Sequence, residues 1–334
     1  MARQLICDPE MPSKSLRGDV DGIRKCIACE DGCCGQAVQF QPVSCIQNPA
    51  VGKEKELGIG SLRPAERKKR IVVVGGGVAG MKFSEIAAKR GHEIVLYEKG
   101  AVLGGQLNLV KKIPFRNEFS EVSRYLEFQL RGLPNVELHL SEEATVETIT
   151  GMRPDAVVVA TGSTRYVPEE LRTTKSCSSW EVLTDSVPIG RNVVIHDKLA
   201  KDEGMGVAEY LTEYYEEVSI RFFTPAAYPG MDVHFLNQDV LFRKLFSKRV
   251  VFYPFYDILE ASEDKVVFQH RYSRKRKTVR GIDNLVLVGD MRSNAQLYTA
   301  LRGSVKELHR LGDARAPRVV MLAIHGAEEL ARAV

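Results

Sequence analysis

The sequence predicts an α/β fold built on a parallel sheet, and three observations point there. A β-branched run, Ile71–Val74, stops abruptly at Gly75-Gly76-Gly77. A helical pattern follows from about Ala79 to Arg90, and Gly91 ends it. A second apolar run, Ile94–Tyr97, comes next and closes on Glu98. Strand, glycine turn, helix and strand in that order form one βαβ unit, which requires parallel pairing.

The other elements can be read along the chain. Residues 1–25 are short and polar, with a helix expected from Ser13 through the run to Ile23. Residues 26–45 hold Gly32 and Gly35 among five cysteines and read as a loop. Residues 47–70, with two prolines, three glycines and many charges, read as a surface connector. Phe119–Leu130 is expected as helix, with Val136–Leu140 and Ala156–Val159 as strands, the last closing on Ala160-Thr161-Gly162. A second unit begins after Pro168, with strand Asn192–Ile195, helix Gly206–Tyr215 and strand Val218–Phe223. Residues 249–288 read as β-hairpins: Val250–Phe255, Lys265–His270 and Asn284–Val288. A helix is expected from about Val319 onward.

Composition narrows the function. A net charge of +4 over 334 residues gives no reason to invoke nucleic acid. No stretch approaches 18 apolar residues, so no transmembrane helix is expected. The N-terminus has acids in its first ten residues and no apolar core, unlike a secretory signal. A cytoplasmic location is the expectation.

Seven cysteines carry more information. Five of them (Cys26, Cys29, Cys33, Cys34, Cys45) fall within 20 residues. An odd, clustered count argues for metal or redox chemistry over a disulfide framework. The spacing Cys26-x2-Cys29-x3-Cys33-x11-Cys45 puts three thiolates on a tight loop and a fourth on the returning chain. That set suits a [4Fe-4S] cluster, because soft anionic thiolates stabilise iron in a sulfide core. A structural zinc site with four cysteines is the alternative, although such sites usually come as two CxxC pairs. Cys34 reads as a spare beside Cys33, and Cys7 and Cys177 as ordinary residues.

Gly75-x-Gly77-x-x-Gly80 follows a strand and opens a helix, as a dinucleotide or ADP site requires. Gly75 permits the turn, Gly77 the approach of a pyrophosphate, and Gly80 the helix–strand contact. Glu98, 23 residues after Gly75, can accept from an adenosine ribose. The alternative is a tight glycine turn without a ligand.

Taken together, CIACEDGC, Cys45, QNPAVGKEKELG, IVVVGGGVAG, YEKGAVLGGQL, VVVATGS and LGDARAPRVVMLAI resemble the C-terminal half of the trimethylamine dehydrogenase and 2,4-dienoyl-CoA reductase family, the iron–sulfur members of the old yellow enzyme group. The resemblance covers essentially the whole chain. It implies [4Fe-4S] on Cys26, Cys29, Cys33 and Cys45. It implies the ADP part of FAD, or ADP itself, on Gly75, Gly77, Ala79, Gly80 and Glu98. Gly104, Gly105 and Gln106 would flank that cofactor. Ala160, Thr161 and Gly162 would mark the crossing between two nucleotide-binding domains, and Gly312 and Asp313 would meet the flavin's ribityl–pyrophosphate arm. The implied division is 1–70 for the end of a barrel, the cluster segment and a connector; 71–163 with 286–334 for the FAD/ADP domain; and 164–285 for a second nucleotide-binding-like domain.

Two departures from the family pattern matter. The FMN-carrying (β/α)8 barrel is absent, since such a barrel needs ~250 residues and only 25 precede Cys26. FMN would belong to that barrel as a separate domain or subunit, with Arg3 at the position that would face it. The nicotinamide fingerprint of NADPH-using members is also missing: its place reads VVIHDKLAKDEGMGVAEYL, with His196, Asp197, Lys198 and Asp202 in the turn. The resemblance therefore implies the electron-transfer part of an amine-type dehydrogenase, relaying electrons from FMN through the cluster to electron-transfer flavoprotein. The alternatives are an NAD(P)H-dependent flavin oxidoreductase of the dienoyl-CoA reductase type, and a non-catalytic ADP-binding scaffold. The oligomeric state stays open.

Arg271 to Arg280 is strongly basic and reads as a solvated hairpin turn, or as a docking patch for an acidic partner. Trp180, Tyr214 and Tyr215 read as core or interface. His325 lies in the last predicted helix, where it could touch the flavin arm or simply pack.

Overall fold

Ile71, Val72 and Val73 are wholly buried, as a strand covered on both faces must be. They sit centrally in the first of two units in the computed structural model, which describes residues 1–334. The first unit comprises Met1–Asn108, Glu118–Thr164 and Ser293–Val334, and the second Leu109–Asn117 and Arg165–Arg292. No helix is long and apolar enough to cross a membrane.

In the first unit five parallel strands lie in the order Leu308–Arg310, Ala156–Val159, Arg70–Val74, Glu93–Glu98, Val136–Leu140. The helix Val78–Lys89 starts directly after the glycine turn and stops where Gly91 takes a positive φ of 101°. It packs against Ser120–Arg131 and Val320–Ala333. A separate apolar cluster gathers Val72, Val74, Val95, Tyr97, Val157 and Val159 with Ile149 and Leu301.

Charge also joins two of these helices. Lys82, nearly inaccessible, lies 3.0 Å from Glu85 and 3.0 Å from Glu328. Lys89 and Arg332 complete the chain at 2.6 Å each. Burial would raise the Glu85 carboxyl, but Lys82 and Lys89 outweigh it and bring it down to about 2.

The second unit has its own parallel sheet, ordered Ser176–Ser178, Asn284–Val288, Asn192–Asp197, Ser219–Phe223, Val250–Tyr253. A three-stranded antiparallel meander, Tyr256–Ala261, Lys265–His270 and Arg276–Arg280, accompanies it. Phe223 of the sheet stacks on Phe268 of the meander at 3.7 Å between ring centroids.

The hairpin reading of 249–288 is corrected for its two ends. Val250–Tyr253 and Asn284–Val288 pair in parallel with the main sheet. The helix Phe235–Phe246, which sequence reading missed, supplies the return that a parallel Val250–Tyr253 needs. Asn284–Val288 is buried at all five positions, the mark of a central parallel strand and not of a half-solvated hairpin. The basic run covers the turn after Lys265–His270 and the whole of the last meander strand, Arg276–Arg280. At the N-terminus, Ala2–Cys7 and Met11–Leu16 are helical, and residues 17–23 turn without extending a helix.

Candidate functional site: a cysteine loop and a nucleotide cradle

The cysteine loop is folded by local constraints. Ala28 and Glu30, on either side of Cys29, adopt positive φ of 52° and 63°, which bends the backbone around that residue. Gly32 lets the returning chain cross it: a Cβ there would meet the Ser44 carbonyl at 2.8 Å. The Ser44 amide donates to the Gly32 carbonyl at 2.7 Å, bringing Cys45 back beside Cys33. Cys26, Cys29, Cys33 and Cys45 all line one small cavity, with Ile27, Ile46 and Cys7. No three His, Cys, Asp or Glu side chains converge on a position for a single ion.

Three elements hold this loop. Gln4 accepts from the Cys26 amide at 2.8 Å. Arg24 donates to the carbonyls of Cys7 and Gln47 at 2.9 and 3.1 Å. From the Val320–Ala333 helix, His325 Nε2 lies 2.8 Å from the Cys45 carbonyl, and Ser44 donates to Met321 Sδ at 3.2 Å. His325 thus packs against the cysteine loop. Arg3, which also lines the cavity, pairs with Glu30 at 2.5 Å.

The thiols are not equivalent. Burial, reinforced by Asp31, pushes Cys29 up to about 12. A hydrogen bond from Cys7 brings Cys45 down to about 6 against the opposing effect of burial, aided by the Gln47 and Asn48 amides. Cys7 is buried and accepts from Gln47 at 3.4 Å. Sequence reading took Cys7 for an ordinary residue; it comes from a different element, so no spacing rule could link it to Cys45.

The nucleotide cradle is built on close backbone approaches. Gly75 has a φ of 112°, and a Cβ there would meet the Ala160 carbonyl at 2.4 Å. A Cβ on Gly80 would strike the Gly75 carbonyl at 2.0 Å. Gly77, by contrast, has nothing nearer than 4.0 Å before it and begins the Val78–Lys89 helix without a side-chain cap. The same turn is braced by Gly104, whose amide donates to the Gly76 carbonyl at 2.9 Å, while Gly105 faces Gly77. Glu98 accepts from the amides of Gly76 and Gly100, at 2.7 Å each.

The remaining expected residues meet nearby. Gln106 donates to Asp313 at 2.9 Å and to Ser163 at 3.2 Å, and Ser163 donates to Asp313 at 3.0 Å. Thr161 donates to the Asn294 carbonyl at 2.5 Å, and the Asn294 amide returns to Gly162. Gly312 comes close enough to the glycine-turn helix that a Cβ would lie 2.8 Å from the Ala79 methyl. Ser163 was not singled out from sequence, although it directly follows the Ala160-Thr161-Gly162 motif. This geometry fits a diphosphate: an open glycine before an uncapped helix N-terminus, where amides and dipole favour anions.

In the second unit, the corresponding strand ends in two buried polar residues. Burial brings His196 down to about 4 and pushes Asp197 up to about 7. Asp197 caps the Leu199 and Ala200 amides at 3.1 and 3.0 Å.

Comparison with known proteins agrees with this architecture. Residues 69–195 match the pyridine nucleotide-disulphide oxidoreductase family. A metal reductase of Desulforamulus reducens is 32% identical over 98% of this chain and 52% of its own length. An N,N-dimethylglycine/sarcosine dehydrogenase of Chromohalobacter salexigens is 30% identical over 98% of this chain and 53% of its own length. The structure of a 2-naphthoyl-CoA reductase, 27% identical, superposes with a TM-score of 0.89 over 99% of this chain and 50% of that one. The chain thus spans about half the length of these relatives. Its first unit is of the flavoprotein Rossmann type, and the chain belongs, as the counterpart of the C-terminal half, to the trimethylamine dehydrogenase and 2,4-dienoyl-CoA reductase family of oxidoreductases.

Proposed function

We propose that this chain is the electron-relay half of an amine-type flavin/iron–sulfur dehydrogenase. Cys26, Cys29, Cys33 and Cys45 would hold one [4Fe-4S] cluster, and the first unit's cradle would hold FAD, or its ADP portion. The cluster, when bound, supplies one-electron exchange. An FMN-bearing barrel would be the donor and electron-transfer flavoprotein the acceptor.

The observation that carries this reading is the four cysteines facing one cavity from its walls. The chain's own residues do the rest. Ile27 and Ile46 give the cavity buried apolar walls. Arg24 and His325 fix the carbonyls of Cys7, Gln47 and Cys45, so the loop keeps its shape. In the cradle, Gly77 leaves the helix amides open to a diphosphate, and Gln106, Ser163 and Asp313 form a fixed polar group beside it.

Anaerobic purification followed by iron and acid-labile sulfide analysis tests the proposal. About four of each per chain are expected, with visible flavin bands if FAD is bound and none if ADP replaces it. Zinc in place of iron would refute the cluster. Rapid bleaching of the flavin by NADH would instead favour a nicotinamide-dependent reductase.

A further inference from the structure

The second unit has the strand order of a dinucleotide-binding sheet, yet its ligand seat is already taken. In such sheets a pyrophosphate lies outside the carboxyl ends of the strands where the order reverses, on loop amides and a helix N-terminus. Here that place follows Asp197, the last residue of Asn192–Asp197, beside Asn284–Val288. Asp197 is inaccessible to solvent. Its Oδ1 accepts the amides of Leu199 and Ala200, the loop donors a phosphate would use. Its Oδ2 has no hydrogen-bond partner and fills the space before Gly204, where a Cβ would lie 2.3 Å from it.

Other groups close the same junction. Lys198, from the loop, pairs at 2.6 Å with Asp290, which follows the neighbouring strand. Glu203, in the first turn of Asp202–Tyr214, is held by Arg165 and by the Ser179 hydroxyl. A dinucleotide would have to displace both pairs and add its charge to an acidic first turn.

We propose that the Asp197 carboxyl group occupies the pyrophosphate seat of the second unit, and that it is the residue denying this unit a nicotinamide dinucleotide. The inference deepens the acceptor assignment made above, but stands on the second unit alone and does not require the cluster.

The test uses the full chain saturated with FAD, so that the first unit's cradle cannot take the probe. Binding of NADH and of inorganic pyrophosphate is followed by titration calorimetry. The wild type is expected to show no saturable binding of either. Asp197→Gly should gain at least tenfold in affinity, as should Asp197→Ser, whose hydroxyl can still accept a loop amide. Circular dichroism establishes that the variants are folded. Wild-type binding that neither substitution strengthens would overturn the inference, as would two folded variants that gain nothing. Iron analysis on the same samples separates the two readings: iron-free protein with a gain in Asp197→Gly would refute the relay and leave this assignment standing.

Discussion

Replacing Asp197 with Asn should change how stability depends on pH. Burial pushes the Asp197 carboxyl from its ordinary 3.8 up to about 7, a shift of about three units. Each unit corresponds to ~1.4 kcal/mol, so ionising this group in the folded chain costs on the order of 4 kcal/mol. The sign follows from the direction of the shift. The folded protein binds this proton more tightly than the unfolded chain does. The contribution is therefore fully present below about pH 4 and is lost as pH rises through about 7. Asparagine keeps an oxygen for the Leu199 and Ala200 amides but cannot ionise. His196, held down to about 4, titrates in both proteins and cancels in their difference. Guanidinium unfolding of both proteins at pH 5 and pH 8 measures the effect. The variant should gain about 3 kcal/mol on the wild type between the two pH values. A difference between them that does not change with pH would refute the argument.

Three further outcomes are expected. Gly75→Ala must place a methyl 2.4 Å from the Ala160 carbonyl at a φ of 112°, costing roughly 2–4 kcal/mol in thermal unfolding and abolishing flavin retention on gel filtration. Cys29→Ser should bring bound iron down to background while the far-ultraviolet circular dichroism stays unchanged; full iron content would remove Cys29 from the ligand set. Glu328→Ala strips Lys82 and Arg332 of a shared partner and should cost about 3 kcal/mol, an effect that chemical denaturation would detect.

Much of the first unit could be read from its residues because its signals are local. A β-branched run, a glycine with positive φ and a helical run follow one another within 20 positions, and the structure keeps their order. The second unit was harder. Asp202–Tyr214 begins four residues before its expected start because Gly204 and Gly206 sit inside the helix, packed on Asp197 and Ile113, where glycine usually signals a break. Phe235–Phe246 buries only Leu241 and Leu245 fully, so its apolar face is narrow and its mixed composition hid the period. Leu308–Arg310 is three residues long and becomes a strand only through pairing with Val157–Val159. In the cysteine loop the four spaced residues were visible, whereas Cys7, Arg24 and His325 reach it from other elements and leave no local pattern.

The bond between His325 and the Cys45 carbonyl spans 280 positions of sequence. On the ribosome, the early cysteine segment emerges long before the helix that props its far wall has been made. Until that helix docks, the thiols sit on a loop missing one of its braces and open to oxidants. Any metal that these thiols hold should therefore load late in the life of the polypeptide, once Val320–Ala333 has docked.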